Sequence, residues 1–216
     1  MTIIVGAKGH AKEILDVLEK NGNLSEDLLL FDDVSNDIPN KLYNKYVIIR
    51  SFDELNKIYS ENKNFILGIG NPILRFHLAQ KFIDFGWSLQ SIISQNSTIG
   101  QYNVILESGV NIMHRVMISN DVIIKEGTLL NSGAQIHHDV VIGRYCEISP
   151  LACLTGKVKI GDFSSVGAGA VIIPNIKIGR NCVIGAGSVV NKDIPDNSVA
   201  VGVPAKVIKV LEPFNE

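Results

Sequence analysis

The chain has 216 residues, 46% of which are apolar, and a formal net charge of −2. This length and apolar content suffice for one medium domain or two small ones with a hydrophobic core. The balanced charge excludes the strongly basic surface by which proteins hold nucleic acid or anionic membranes nonspecifically, so we expect neither as a partner.

Cysteine usage and hydropathy indicate the compartment. The three cysteines, Cys146, Cys153 and Cys182, are an odd number without metal-ligand spacing, which favours a reducing environment over a secreted disulfide scaffold. The N-terminus has no signal-peptide apolar region, and no later apolar run has membrane-spanning length. We therefore expect a cytoplasmic protein without membrane insertion.

Residues 1–88 alternate apolar runs with helical patterns, which predicts an α/β domain with a small, Rossmann-like parallel sheet. Its strands are predicted at Thr2 to Val5, Leu28 to Phe31 and Phe65 to Ile69. Its helices are predicted from the first glycine turn to Leu18, from the capping pair Ser51 and Glu54 to about Tyr59, and from Pro72 to Gly86.

Glycines and polar residues follow each of these strands. GAKGHAKE, residues 6–13, opens the first helix, where free N–H groups and the helix dipole favour a phosphate. It departs from the G-x-G-x-x-G pattern, which disfavours a dehydrogenase. The pairs Asp32–Asp33 and Gly70–Asn71 end the other strands, and such strand ends form the ligand crevice of open α/β sheets. Each pair alone is also typical of a turn, but three signals at one edge favour a ligand site.

Residues 89–216 have a period of six. From Ile112 to Val190, every sixth residue is Ile, Leu or Val, which predicts hexapeptide repeats. Each hexad is expected to be a short strand ending in a bend, with its aliphatic side chain inside, and three hexads make one coil of an all-β parallel β-helix. Ile93, Ile99 and Ile105 are offset by one residue, which predicts one extra residue between Ile105 and Ile112.

The segment NSGAQIHHDVVIG, residues 131–143, places two histidines and an aspartate in an aliphatic run. With 18 residues per coil, His138 lies beside Gly156, about one strand spacing away. A base beside a bare backbone N–H is the arrangement that acyl transfer requires, and Asp139 can orient the imidazole. The alternatives are a surface or satisfied-core histidine and a solvated turn carboxylate. For His77 and His114 we favour structural or surface roles.

The same spacing stacks Ala168, Ala186 and Pro204 into a column of small residues. Such a column leaves a groove for a long, thin ligand such as a pantetheine arm, although bends favour glycine and alanine in any case. The phosphates of such a ligand would meet nearby cations, namely Lys157, Lys159, Lys177, Arg180 and Lys206. Cys146 and Cys182 occupy inward positions where burial is expected, whereas the role of Cys153 is left open.

The chain resembles the bacterial sugar O-acyltransferases of the sialic acid O-acetyltransferase and nucleotide-activated amino-sugar N-acetyltransferase type. The resemblance covers nearly the whole chain. It is carried by GAKGHA, by FDD at residues 31–33, by IGN at residues 69–71, by LNSGAQIHHDVVIG, by the hexads and by VGVPAK at residues 201–206. It implies a left-handed β-helix, a homotrimer, acetyl-CoA as acyl donor and a nucleotide-sugar acceptor held by the N-terminal domain.

The resemblance also implies residue roles. His138 matches the family's base, Asp139 the acidic residue that polarises it, and Gly156 the amide that meets the acetyl carbonyl. Asn131 matches an asparagine near the acceptor. Residues matching coenzyme contacts are Glu147, Ala168 and Ala186, beside Gly156 at the acetyl group. Those matching nucleotide-sugar contacts are Ala7, Lys8, Gly9, His10, Asp32, Asp33 and Gly70. Asn71, at the same strand end as Gly70, and Lys206, one of the cations near the groove, are predicted as further contacts of the nucleotide-sugar and of the coenzyme. Two residues depart from the family pattern: Lys8 replaces a small residue and Glu147 a histidine.

The predicted function is direct acetyl transfer from acetyl-CoA to an amine on a nucleotide-linked sugar, with His138 as general base. One alternative is O-acetylation of a sugar or sialic acid hydroxyl, and another is a non-catalytic nucleotide-sugar-binding protein. A carbonic-anhydrase-like zinc site requires three imidazoles. The adjacent His137 and His138 cannot easily face one metal, and Gly143 is no ligand, so we expect no metal.

Overall fold

The computed structural model describes residues 1–24, 28–58 and 63–215. Its N-terminal part is a six-stranded sheet in the order β3-β4-β2-β1-β5-β6, parallel except for the β3–β4 pair. The strands are β1 (Thr2–Val5), β2 (Leu29–Phe31), β3 (Lys41–Leu42), β4 (Tyr46–Ile49), β5 (Asn64–Leu67) and β6 (Ser88–Leu89). The three predicted strands are present, whereas the β3–β4 hairpin was not predicted.

Three helices connect these strands: α1 (Gly9–Lys20), α2 (Phe52–Asn56) and α3 (Pro72–Asp84). The Ser51 side chain caps α2 by accepting a hydrogen bond from the Glu54 N–H. The predicted end of α2 was wrong, because the helix stops at Asn56 after little more than one turn; Tyr59 lies outside the described residues. Gly86 follows α3 with φ of +81°, a conformation that glycine adopts without strain.

The rest of the chain is a three-sided parallel β-helix. Its first face comprises β7 (Ile92–Ile93), β10 (Asn111–Ile112), β13 (Leu129–Leu130), β16 (Glu147–Ile148), β19 (Ser165–Val166), β22 (Val183–Ile184), β24 (Ser198–Gly202) and β25 (Ala205–Val210). Its second face comprises β8 (Thr98–Ile99), β11 (Met117–Ile118), β14 (Gln135–Ile136), β17 (Cys153–Leu154), β20 (Val171–Ile172) and β23 (Val189–Val190). Its third face comprises β9 (Ile105–Leu106), β12 (Ile123–Ile124), β15 (Val141–Ile142), β18 (Lys159–Ile160) and β21 (Lys177–Ile178).

The predicted hexads are confirmed, because every aliphatic residue of the series from Ile112 to Val190 is the second residue of a strand and is buried. The predicted place of the one-residue offset was wrong. Ile124 pairs with Leu106, and Ile105 pairs with the outward Ile123 and is 52% exposed. The extra residue therefore lies in the turn between Ile99 and Leu106.

The last coil is shorter than the others, so the predicted stacking of Pro204 on Ala186 was wrong. Ile184 pairs with Ala200, sixteen residues later, and this register brings Gly202 beside Ala186. On the third face Ile178 meets Ile194 in an isolated bridge, and Ile194 follows the inward Val190 by four residues instead of six, so the turn before it is two residues shorter. Pro204 lies in the turn of the antiparallel β24–β25 hairpin.

The two parts of the chain pack through a buried interface. The predicted boundary after residue 88 falls inside β6, and the first coil begins at β7. Fully buried Arg75 of α3 donates hydrogen bonds from Nε and Nη2 to the Gly127 carbonyl at 2.9 and 2.7 Å, and from Nη1 to the Leu67 and Ile69 carbonyls.

No helix in the described ranges combines the length and hydropathy needed to cross a membrane.

Candidate active site

A cavity of about 570 Å³ opens at the carboxyl ends of β1, β2 and β5. Strand order reverses around β1, and this is the position at which open α/β sheets bind ligands. All eight residues predicted to contact the nucleotide-sugar line it: Ala7, Lys8, Gly9, His10, Asp32, Asp33, Gly70 and Asn71. The structure therefore brings together three sequence motifs that are spread between residues 6 and 71 of the chain.

At the floor of the cavity two backbone segments lie so close together that only glycine fits. Gly6 has φ of +116°, and a Cβ there would lie 2.7 Å from the Gly68 carbonyl oxygen. Two of the predicted polar residues also have local structural roles: Asp32 Oδ1 accepts a hydrogen bond from the Ser35 N–H at 2.8 Å, and Asn71 caps α3 by accepting from the Leu74 N–H at 3.0 Å. Asp33 is exposed at the rim.

His10 is a half-buried member of the cavity wall. Its Nε2 accepts from the Asn111 amide at 3.2 Å, which leaves the proton on Nδ1, where Glu13 accepts it at 3.1 Å. Burial lowers the pKa of the His10 imidazole, and the hydrogen bond to Glu13 only partly opposes this effect. His10 is therefore a neutral hydrogen-bonding group at neutral pH.

The turn after β14 holds the predicted base. His138 is 60% exposed, and its Nδ1 lies 2.8 Å from Asp139 Oδ2. A Cβ at Gly156 would lie 2.6 Å from His138 Nε2, so the imidazole lies directly against the Gly156 backbone. The predicted contact between coils is confirmed. None of the hydrogen bonds found among the described residues uses the Gly156 N–H, and Gly156 is buried beneath the imidazole.

Asn131 and Glu147 lie elsewhere, against the N-terminal domain. The Asn131 amide donates to Glu147 Oε1 at 3.3 Å, and a Cβ at Gly70 would lie 3.4 Å from the same oxygen. Burial raises the pKa of the Glu147 carboxyl, and the charge of Arg75 opposes that shift. Glu147, predicted as a coenzyme contact, thus borders the cavity that holds Gly70.

The predicted groove residues share a corner with Asn131. Ala168 and Ala186 are exposed in successive turns between the first and second faces, and the Gly187 N–H donates to the Ala168 carbonyl at 2.8 Å. His138 and Gly156 lie at the other end of the second face, in the turns that lead to the third face. Lys206 is exposed on β25, opposite Val201. Within one chain the predicted site residues form two separate groups.

The remaining histidines and cysteines are distributed as follows. His77 is exposed on the cavity rim, and His114 Nε2 lies 2.8 Å from Asp16 Oδ2 on α1. Cys146 and Cys182 are buried as predicted, and burial raises the pKa of the Cys146 thiol to about 12. In the described part of the chain, no three His, Cys, Asp or Glu side chains are grouped as metal ligands would be.

Sequence reasoning missed two polar residues that hold the site together. Burial lowers the pKa of the Arg75 guanidinium to about 10, yet its carbonyl partners and the nearby Glu147 keep it charged at neutral pH. Fully buried Asn111 donates to the Leu67 carbonyl at 2.7 Å and to His10. Arg75 interrupts the apolar face of α3, and Asn111 precedes an inward isoleucine in a hexad; neither pattern alone indicates an interface.

Comparisons with known proteins agree with this architecture. The family described as PglD N-terminal domain matches residues 2–82, and the bacterial transferase hexapeptide family (six repeats) matches residues 121–156 and 157–192. A search of curated proteins gives no significant match.

Solved structures resemble the whole chain. PerB from Caulobacter crescentus, in complex with CoA and GDP-perosamine, is 31% identical over 96% of this chain and 97% of its own, with a TM-score of 0.83. The acetyltransferase domain of PglB from Neisseria gonorrhoeae, in complex with acetyl coenzyme A, is 26% identical over 96% and 98% of the two chains, with a TM-score of 0.87. WeeI from Acinetobacter baumannii is 25% identical over 96% and 99%, with a TM-score of 0.88.

A mutant of perosamine N-acetyltransferase from C. crescentus, at 30% identity over 96% of both chains, has a TM-score of 0.86. The fold and these matches define a left-handed β-helix acyltransferase with an N-terminal α/β domain, so the predicted fold class and enzyme class are confirmed. The chain belongs to the bacterial sugar acetyltransferases that join a PglD N-terminal domain to hexapeptide repeats.

Proposed function

We propose that the protein transfers the acetyl group of acetyl-CoA directly to the amine of a nucleotide-linked sugar. The observation that carries this proposal is the packing of the His138 imidazole against the Gly156 backbone, with Nδ1 bonded to Asp139. Two structures at least 30% identical over nearly the whole chain hold CoA and GDP-perosamine, which supports an amino-sugar acceptor. The cavity volume lies within the usual range for small-molecule sites.

In this reaction the amine nitrogen attacks the thioester carbonyl carbon while His138 Nε2 accepts the amine proton. The carbonyl oxygen becomes an oxyanion and accepts a hydrogen bond from the Gly156 N–H. The tetrahedral intermediate expels the CoA thiolate, which takes the proton from the imidazolium, so no acyl-enzyme forms. Burial raises the pKa of each of the three cysteine thiols, Cys146, Cys153 and Cys182, which disfavours a competing cysteine nucleophile.

The acceptor occupies the α/β cavity in this proposal. Phosphates meet the free N–H groups at the start of α1, and Asp32 and Asp33 accept hydrogen bonds from the base or ribose. The sugar then extends past Gly70 toward Asn131 and Glu147, which border the cavity on the β-helix side. The pantetheine arm of the donor runs along Ala168 and Ala186.

The separation of the two groups within one chain supports a site shared between chains in a homotrimer. The cavity, Asn131 and the Ala168 groove lie near one corner of the β-helix, and His138 and Gly156 lie at the next corner. In such a trimer we expect the second corner of one chain to lie beside the first corner of its neighbour. We expect a solution mass about three times the 23.6 kDa of the chain.

The decisive experiment measures thiol release from acetyl-CoA with a panel of UDP-, GDP- and dTDP-linked amino sugars. Free amino sugars, hydroxyl-only nucleotide-sugars and sialic acids serve as comparison acceptors. We expect release with an amino-sugar nucleotide, and we expect His138→Ala to lower kcat by about 100-fold or more. His137→Ala, in the same turn, is the matched control and should retain activity.

Other outcomes have defined meanings. Thiol release only with hydroxyl acceptors would show O-acetylation instead of N-acetylation. Binding of acceptors without thiol release from acetyl-CoA would indicate the non-catalytic alternative. Full activity of His138→Ala would show that His138 is not the general base.

A complementation experiment tests the shared site. His138→Ala and Ala168→Trp, each inactive alone, are co-expressed with different tags and the mixed oligomer is purified. We expect partial recovery, because some sites then combine an intact His138 with an intact groove from a neighbour. A mixed oligomer as inactive as the single variants would place the whole site within one chain.

A further inference from the structure

Glu147 lies where the first face of the β-helix emerges from beneath the α/β domain. Asn111 and Leu129, the outward residues of the two preceding coils, are fully buried, whereas Glu147 is half-buried. A Cβ at Gly70, which lines the cavity, would lie 3.4 Å from Glu147 Oε1. The carboxyl group therefore borders the end of the cavity that faces the β-helix.

In the described part of the chain, this carboxyl group has no cation in ion-pair contact. None of the ion pairs found there includes Glu147. The guanidinium of Arg75 donates its hydrogen bonds to main-chain carbonyls, so it acts on Glu147 only through its field. Two neutral side chains, Asn131 and Ser149, donate hydrogen bonds to the carboxyl group.

A half-buried carboxylate at a cavity edge is suited to a cationic ligand. Carboxylates that leave water are normally paired with a cation, because an unpaired charge loses its hydration without compensation. A carboxylate also has about four acceptor sites, so the bonds from Asn131 and Ser149 leave room for further donors.

We propose that Glu147 binds the ammonium group of the acceptor sugar and so selects amines over hydroxyls. The inference rests on the proposed function and deepens it, because it assigns the group that distinguishes N-acetylation from O-acetylation. An ammonium group brings three donors and a positive charge, and its hydrogen bonds to a carboxylate are charge-assisted. A hydroxyl in the same position offers one neutral donor and leaves the carboxylate charge uncompensated.

The carboxylate also prepares the amine for attack. An ammonium nitrogen has no lone pair, so one proton must leave before the C–N bond can form. That proton passes to Glu147, which gives a neutral amine and a carboxylic acid, and the electron pair of the broken N–H bond becomes the lone pair. Burial raises the pKa of the Glu147 carboxyl, which favours this transfer. His138 accepts the second proton as nitrogen attacks, and Glu147 returns its proton to water after the product leaves.

Calorimetric binding of matched nucleotide-sugars, without acetyl-CoA, tests this assignment. The two members of each pair differ only in an amine or a hydroxyl at one sugar carbon, and the pairs carry UDP, GDP or dTDP. GDP-perosamine and its hydroxyl counterpart form one GDP pair. For the nucleotide that binds, we expect the wild-type protein to bind the amine about tenfold or more tighter than the hydroxyl.

Glu147→Gln keeps the shape of the side chain and removes its charge. We expect this variant to bind the amine and the hydroxyl with affinities within about twofold of each other, mainly because the amine is bound more weakly. A loosened fold would weaken both members of a pair alike, so the ratio separates recognition from a structural effect. Glu19→Gln, an exposed carboxylate near the end of α1 that is remote from the cavity, is the matched control and should keep the wild-type ratio.

Each outcome of this experiment decides one assignment. The same ratio in the wild type and in Glu147→Gln would overturn the ammonium site, even if thiol release confirmed the proposed function. Weaker acetyl-CoA binding with an unchanged ratio would make Glu147 the coenzyme contact that the resemblance implies. A lost amine preference in Glu147→Gln, with no thiol release by the wild type, would support the ammonium site and refute acetyl transfer alone. Binding of neither member of any pair would refute the site and the acceptor class together.

Discussion

At the scale of single residues, the contact between His138 and Gly156 leaves no room for a side chain. Gly156 lies outside the left-handed region, so alanine fits its backbone, but the new Cβ would lie 2.6 Å from His138 Nε2. The exposed imidazole can swing into solvent, which relieves the clash and removes the base from its position. A side chain at position 156 therefore displaces the catalytic imidazole of His138.

We expect Gly156→Ala to lower kcat about 100-fold while changing the free energy of unfolding by less than about 0.5 kcal/mol. The double variant with His138→Ala should be no slower than His138→Ala alone, because both changes remove the same imidazole. Steady-state kinetics of the three variants, with urea unfolding in parallel, measure this. Multiplicative losses in the double variant would show that the two residues act separately.

His10 makes stability depend on pH. Burial lowers its folded-state pKa below the value of about 6.5 for an unfolded chain, so the unfolded state binds the proton first as pH falls. This contribution is complete above pH about 6.5 and is lost as pH falls toward the folded-state pKa.

We expect the free energy of unfolding of the wild-type protein to fall more steeply below pH about 6.5 than that of His10→Gln, by up to about 1.4 kcal/mol per pH unit. Urea unfolding at several pH values between 5 and 8 measures the slopes. Parallel profiles for His10→Gln and the wild type would contradict the assignment.

At the scale of elements, Arg75 fastens α3 to a β-helix turn and to the end of β5. Its guanidinium donates hydrogen bonds to the carbonyls of Gly127, Leu67 and Ile69 inside a buried interface. Arg75→Met keeps the length of the side chain but leaves these acceptors unpaired. We expect it to lower the free energy of unfolding by about 3 kcal/mol or more, measured by urea denaturation. Lys81→Met, an exposed cation on the same helix, should change it by no more than about 0.5 kcal/mol.

At the scale of the whole molecule, the α/β domain and the β-helix are expected to unfold as one unit. Tyr145 and Phe163 of the β-helix pack on Phe76 of α3, and Arg75 crosses the same interface. Trp87, the single tryptophan, lies in the α/β core and reports on that domain, while far-UV circular dichroism is dominated by the β-helix strands. The two urea transitions should coincide. An earlier Trp87 transition would show that the domains unfold independently.

The sequence by itself determined the repeat, the sheet edge and the contact of His138 with Gly156. The repeat and this contact follow from local periodicity, because a fixed coil length converts spacing along the chain into contact between coils. The sheet edge follows from the glycines and polar residues that end each predicted strand. Predictions from periodicity were wrong where the coil length changes. Leu106, not Ile105, is the inward residue, and the last coil has sixteen residues, so Pro204 does not stack on Ala186. Sequence reasoning also missed β3 and β4, whose short segments carry little pattern.

Only the tertiary structure decided how the two domains meet. The pairs Arg75–Gly127, Asn111–Leu67 and Glu147–Gly70 each cross the domain boundary between residues more than forty positions apart, and no local pattern encodes such pairs. It likewise placed Lys8 against Asp37 and separated His138 from the Ala168 groove by one face of the β-helix. The physical reason is that hexads specify neighbours within a solenoid, whereas contacts between domains depend on which surfaces remain after each has folded.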